Sequence, residues 1–331
     1  MSPIVYYAAT LLIFFFIFNI QTWGLNIQFG YAGILDFTYI TFFAAGAYFT
    51  GVAVLGKQEG DFHYILGLNL PFGLAVIFGA IAAGLLGLLV GLVALNRLRS
   101  DYLAIVTVSV GAIAYDFVGN QRWVFNGFDG ILGVPYPYND LLNLNPNDYT
   151  LFYVGFSGVV MLLLWFVANR IYNSPMGRAM RATREDLDVA EAFGKNTYAL
   201  RMTAMVIGCV YAGIGGGLLI GFISAFNPGG WSPGETFLIW AAMLIGGRAN
   251  NLGSVVGALL VPVIFIEATR FLPAFPGHPE TIPALRNILI GFLLIGVLWF
   301  RPQGLVPERR HRFLEIPLGA GPKAVANAPS V

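Results

Sequence analysis

Long apolar blocks alternate along this chain with short polar breaks. Residues 64–96 contain no Asp, Glu, Lys or Arg, and neither do residues 202–234. A helix needs about 20 apolar residues to cross a bilayer, so each of these blocks is long enough. Reading every block this way predicts spans at 3–23, 35–55, 71–95, 102–118, 149–169, 202–221, 235–247, 253–270 and 287–300. The seventh is too short to cross unless it borrows from its neighbours, so nine crossings are expected, with eight or ten as alternatives. The predicted fold is an all-α, polytopic transmembrane helix bundle. Residues 1–305 form its membrane domain, with a long loop at 170–201, and residues 306–331 form a tail that ends in disorder.

Composition supports this reading. Of 331 residues, 57% are hydrophobic and 11% charged, against about 25% charged in an ordinary soluble domain. Too little polar surface remains to cover a water-exposed globule, which excludes a soluble enzyme, a disordered protein, a collagen and a disulfide scaffold. A net charge of +1 gives no electrostatic case for nucleic acid. The single cysteine, Cys209, lies inside an apolar block and reads as a small core residue. The first block begins almost at Met1 with no basic stretch and no small-residue cleavage site, so it is expected to be retained as a helix.

The scarce charges are unevenly placed. One set of breaks holds 14 of the 18 basic residues: Arg97, Arg99, Arg170, Arg178, Arg181, Arg184, Lys195, Arg201, Arg248, Arg301, Arg309, Arg310, Arg312 and Lys323. The other set holds Lys57, Arg122, Arg270 and Arg286. Basic loops stay on the cytoplasmic side, which predicts a cytoplasmic C-terminus and, with nine crossings, an outward N-terminus. Glycines four apart (87 and 91, 213 and 217, 217 and 221, 253 and 257) let helix backbones approach. They are read as packing within one bundle. Pro71, Pro228, Pro233 and Pro262 mark span starts or breaks.

Catalytic machinery is not evident. His63, His278 and His311 sit in separate loops without metal-site spacing. The segment Gly51–Lys57 approaches a phosphate-binding pattern, but Gln58 stands where a hydroxyl is needed and no strand precedes it. No cofactor is therefore expected on this chain, and a partner must hydrolyse any ATP used. Intramembrane ionisable groups are functional candidates by default. Here they are Asp36, Asp116, and Glu267 with Arg270, the last two spaced to pair on one helix face.

The loop at 170–201 carries the most information. Ser174-Pro175 is a helix-start signal, and Thr183 with Asp186 forms a capping-box-like pair that predicts a second helix from near Arg184. On that helix Val189, Ala192 and Phe193 share one face, while Arg184, Asp188 and Glu191 share the other. Gly194 then supplies a left-handed stop. A short amphipathic helix offered to the cytoplasm suits a docking knob, and equally a solvated loop helix.

The stretch Ser174–Gly194 resembles the cytoplasmic loop of LivM-type permeases of branched-chain amino acid ABC importers. Leu25–Gly33, Arg97–Thr107, Gly246-Gly247 with Gly253–Ala258, and Phe300–Leu305 resemble further blocks of that family, in family order. The resemblance implies a permease subunit with no covalent chemistry of its own, in a bacterial inner membrane. It implies a second, LivH-like permease as heterodimeric partner, two ATPase subunits that bind ATP and Mg²⁺, and an extracytoplasmic solute-binding protein. Asp188-Val189-Ala190, three residues, then Gly194 is similar to the E-A-A-x-x-x-G coupling motif of import permeases, with Asp for Glu and Val for Ala. On that basis Arg178, Arg181, Arg184, Asp188, Ala190, Glu191 and Gly194 are candidate ATPase contacts. Asn26, Gln28, Asp36 and Asp116 are candidate translocation-pathway residues. Asn126–Gly133 resembles a family block of the T-D-G-L kind on the outer side, and is also ordinary turn chemistry.

The same machine carrying urea, short amides or another small polar solute is the nearest alternative. A stand-alone secondary transporter or channel would show inverted repeats or paired mid-depth charges, and neither is evident in the sequence. An integral-membrane enzyme would need clustered His, carboxylate or nucleophile residues at one membrane face.

Overall fold

A computed structural model of the protein describes residues 2–56, 64–95, 100–142, 144–269 and 281–308. Its main helices are α1 (Pro3–Tyr31), α2 (Tyr39–Val54), α3 (Phe72–Ala94), α4 (Ser100–Asn120), α5 (Pro146–Asn173), α6 (Pro175–Glu185), α7 (Leu187–Ala192), α8 (Thr197–Ile223), α9 (Glu235–Gly246), α10 (Asn251–Thr269) and α11 (Thr281–Phe300). Among the described residues, six helices are long and apolar enough to cross a membrane, and α2 and α11 are shorter apolar helices. The protein is a multi-pass, all-helical bundle. The seventh predicted block forms α9, whose 12 residues reach about 18 Å at 1.5 Å per residue, well short of a hydrocarbon core about 30 Å thick.

Helix α8 is the axis of the bundle. Its glycines lie against α1, α2 and α3 closely enough to leave no room for a side chain. A Cβ on Gly46 of α2 would lie 2.2 Å from the Gly213 carbonyl oxygen, and one on Gly208 would lie 2.7 Å from the Gly24 carbonyl oxygen. The spaced glycines noted in the sequence pack inside the chain: Gly87 meets Cys209, Gly91 meets Met202, and Gly253 and Gly257 meet the backbone of α9. Lipid supplies no hydrophobic drive between helices, so close backbone contact holds such a bundle together.

Two segments repeat one motif in opposite directions. Helix α1 ends in a π-helical turn, Asn26–Tyr31; the chain folds back through 32–38, and α2 starts beside the middle of α8, where Tyr39 bonds the Gly208 carbonyl. Helix α8, antiparallel to α1, ends at Ile223. The chain then folds back through 224–234, and α9 starts at Glu235. The two half-depth starts touch: the Ile40 N–H donates to Thr236 Oγ1 at 3.3 Å, and the Phe37 and Phe237 rings lie 5.5 Å apart. This inversion is absent from the sequence pattern because one fold-back is 7 residues long and the other 11, with no shared motif.

The 224–234 fold-back is pinned by a two-residue antiparallel pairing of β1 (Ile131–Leu132) with β2 (Ala225–Phe226). Asn126–Gly133 thus acts as a turn. Asn126 is left-handed at φ 63° and donates through Nδ2 to the Gly130 carbonyl at 3.1 Å. Pro262 lies in a second π-helical stretch, Leu260–Phe265, since its ring cannot accept the regular α ladder. Glu267 accepts a hydrogen bond from the Tyr7 hydroxyl; Arg270, its predicted partner, lies outside the described residues. So do Lys57, His63, Arg97, Arg99, His278 and residues 309–331.

Candidate functional site

The loop between α5 and α8 is shorter than the sequence implies. Arg170 belongs to α5, and Arg201 is buried within α8 at 7% exposure. Helix α6 begins as expected: the Ser174 side chain accepts the Gly177 N–H at 3.1 Å, with Pro175 in the first turn. The second helix does not start at Thr183. That residue is buried, and its hydroxyl turns back to the Met180 carbonyl. α6 continues to Glu185 instead, the chain extends at Asp186, and the Asp186 carboxylate caps α7 by accepting the Val189 N–H at 3.0 Å. The side chain that bonds the first free N–H defines a helix start, and Asp186 does so.

On α7 only Ala190 is buried, at 4%. Asp188 is exposed, and Glu191 accepts from the Thr197 hydroxyl, tying α7 to the start of α8. The apolar residues face out, with Val189 at 51% exposure and Phe193 at 78%. Gly194 adopts φ 71°, and its N–H closes on the Glu191 carbonyl at 2.8 Å.

The arginines of α6 point the other way. Arg184 donates to the Gly30 carbonyl in the π-helical turn of α1, and to Glu185 at 2.6 Å and Glu308 at 2.8 Å. Burial, the largest influence, draws its pKa down, but the two carboxylates outweigh this and leave the guanidinium above the usual arginine value. Arg181 lies 4.1 Å over the Tyr172 ring, donates to the Tyr172 carbonyl and sits 3.8 Å from Glu308. Arg178 donates to the Asn173 carbonyl at 3.2 Å and is exposed. Glu308 belongs to a strap: Leu305 and Val306 donate to the Ile245 and Gly246 carbonyls at the end of α9, and the Pro307 carbonyl accepts from Asn250. The domain boundary drawn after residue 305 therefore falls inside a bonded segment.

The candidate pathway residues divide into separate places. Asn26 accepts the Ala249 N–H at 2.7 Å and donates to Asn251. Gln28 donates to the Met205 carbonyl at 3.1 Å and to Cys209 Sγ. Asp36, fully buried, accepts the Thr38 N–H at 2.9 Å. Asp116 is exposed on α4, away from the other three. Gln28 Oε1 and Asp36 Oδ2 have no hydrogen-bond partner among the described residues. Sequence reasoning missed Asn251, which accepts from Tyr31 at 2.6 Å and donates to Asn169 at 2.7 Å. It also missed Gln21, which shares an otherwise apolar span with Asn19 and Thr22. Amides inside such a span are the signal that could have marked it.

The fold is thus that of a multi-pass membrane protein, a helical bundle with two fold-backs and a short helix held out on a basic loop. Residues 7–298 match the family described as branched-chain amino acid transport system / permease component, and the chain belongs to that family. It is 28% identical over 307 residues to the high-affinity branched-chain amino acid transport system permease protein LivM of Escherichia coli strain K12, covering 87% of this chain and 67% of the relative. It is 27% identical to the probable branched-chain amino acid transport permease protein LivM of Methanocaldococcus jannaschii, covering 90% and 93%. The probable LivH permease of the same organism is 25% identical, covering 82% and 85%. No solved structure matches the chain.

Proposed function

We propose that this protein is one permease subunit of an ATP-driven importer for a branched-chain amino acid in a bacterial inner membrane. If the fold-backs before α2 and α9 complete those two short passages, nine crossings put the N-terminus outside and the C-terminus in the cytoplasm. A second, LivH-like permease completes the pore, two ATPase subunits bind ATP and Mg²⁺, and an extracytoplasmic binding protein delivers the solute. The observation that carries this reading is the pair of exposed apolar side chains, Val189 and Phe193, held off the bundle on α7. Apolar groups presented together to water mark a docking surface, and family membership supplies the partner class.

Force then has a defined route. A push on α7 reaches α6 through Asp186, and α6 is bonded through Arg184 to the end of α1 and through Glu308 to the turn joining α9 and α10. Those elements lead to the half-depth junction of α2 and α9. Asp188, Ala190, Glu191 and Gly194 shape the knob, and Arg178 lies beside it.

Purification from the native host tests the assembly: a second permease and ATPase subunits are expected to co-purify. In proteoliposomes the chain alone should transport nothing. Uptake by the isolated chain would refute the importer reading.

A further inference from the structure

We propose that the cavity beside the 224–234 fold-back is a transient binding site for the transported amino acid, formed within this one chain. This rests on the importer reading above. The cavity holds about 380 Å³ and lies where α1, α2, α8 and α9 converge, within the size range of small-molecule sites. Its walls are apolar, with Phe14, Ile17 and Phe43 among them, and only Gln21, Asn227 and Glu235 bring polar side chains to it.

Gln21 is the decisive group. It is fully buried, it lines the cavity, and neither Nε2 nor Oε1 has a hydrogen-bond partner among the described residues. Leaving such a group unpaired costs about 1–3 kcal/mol, so a buried amide with both ends unmet calls for a ligand carrying a donor and an acceptor. Glu235 adds a second feature. Its carboxylate lines the cavity and pairs with Arg286 at 3.2 Å, both side chains being partly exposed. Within the cavity the Glu235 carboxylate can meet an ammonium and the Gln21 amide a carboxylate, while Arg286 lies outside the lining.

Together these features select a zwitterion with an apolar side chain. A sugar or nucleoside would leave its hydroxyls unpaired against the aromatic wall. A lipid tail would fill the walls and leave Gln21 unmet.

The test uses the assembled importer, with its partner permease, ATPases and binding protein, in proteoliposomes supplied with tritiated leucine, isoleucine or valine. Gln21→Leu and Glu235→Gln should each lower uptake about tenfold, the scale of one lost buried hydrogen bond. Co-purification with the partners should match wild type, and Gln21→Leu should show an unchanged or raised melting temperature because it removes the unmet amide. A diazirine analogue of leucine should label the 14–21 segment in the wild type and not in Gln21→Leu. Wild-type uptake in both variants, or no label on residues 14–21, would overturn the site while leaving the importer reading intact. If the wild-type assembly moves none of the three amino acids, the importer reading fails and the site falls with it.

Discussion

Helices α6 and α7 are separated by a single residue, yet they do opposite things with their side chains. α6 carries three arginines and turns two of them inward, onto backbone carbonyls and Glu308. α7 is mostly small and acidic, and Val189 on it and Phe193 just past its end turn outward. Charge is the more visible docking signal in a sequence, but here most of it is spent within the chain. The lesson is that a partner surface is defined by what the fold leaves unsatisfied. α6 is the brace and α7 is the knob.

The sharpest break in that comparison comes from the brace. Arg184→Met leaves Glu308 and the Gly30 carbonyl without their donor, in a setting where the two side chains are only 13% and 21% exposed. Removing one member of a largely buried pair costs about 3 kcal/mol, so a clear drop in the melting temperature of the purified protein is expected. A melting temperature equal to wild type would mean that α6 is not held by this residue. On the knob, Phe193→Asp should behave in reverse. It places a charge at the centre of the proposed contact and should weaken ATPase binding by about 2 kcal/mol, roughly 30-fold, with melting unchanged. ATPase co-purification at the wild-type level would remove α7 from the interface.

This contrast was only half legible beforehand. The membrane class, the N-cap at Ser174 and the stop at Gly194 follow from local chemistry, which a single sequence carries. The start of α7 was misplaced because Thr183 and Asp186 fit a capping pattern in either register. Burial of Thr183 and extension of the chain at Asp186 choose between them, and both depend on α5 and α8 packing nearby. Glu308 was assigned to a tail because no local pattern shows that residues 305–308 bond the end of α9. The half-depth junction was unreadable for the same reason: Ile40 and Thr236 meet across 196 residues. Asp36 was found as a charge in apolar surroundings and Gln28 through a block that resembles the family, whereas Gln21 carries no charge and lies outside every such block.

Smaller effects refine the boundary between brace and knob. Gly194 sits at φ 71°, where a Cβ would meet no atom within 4 Å, so the cost of Gly194→Val is backbone strain alone. The left-handed conformation costs an ordinary residue about 1–2 kcal/mol and a β-branched one at least as much. ATPase co-purification should fall in proportion to the knob's loss of shape, and Gly194→Asn should restore most of it, because asparagine tolerates this region. Equal behaviour of Val and Asn at 194 would point to side-chain bulk at the contact.

The smallest effect separates the two readings of where α7 begins. Asp186→Ala removes the carboxylate that accepts the Val189 N–H, and an N-cap lost to alanine costs about 1 kcal/mol. α7 has six residues, too few to persist without its cap, so the loss should appear as faster amide exchange confined to 187–193. Thr183→Val keeps the shape and removes the hydroxyl, which bonds only the Met180 carbonyl, and should leave exchange across α7 as in the wild type. If the valine variant instead loosens 187–193 while Asp186→Ala does not, the cap belongs to Thr183 and the brace ends three residues earlier. The knob would then include Arg184 and lose its rigid link to α1.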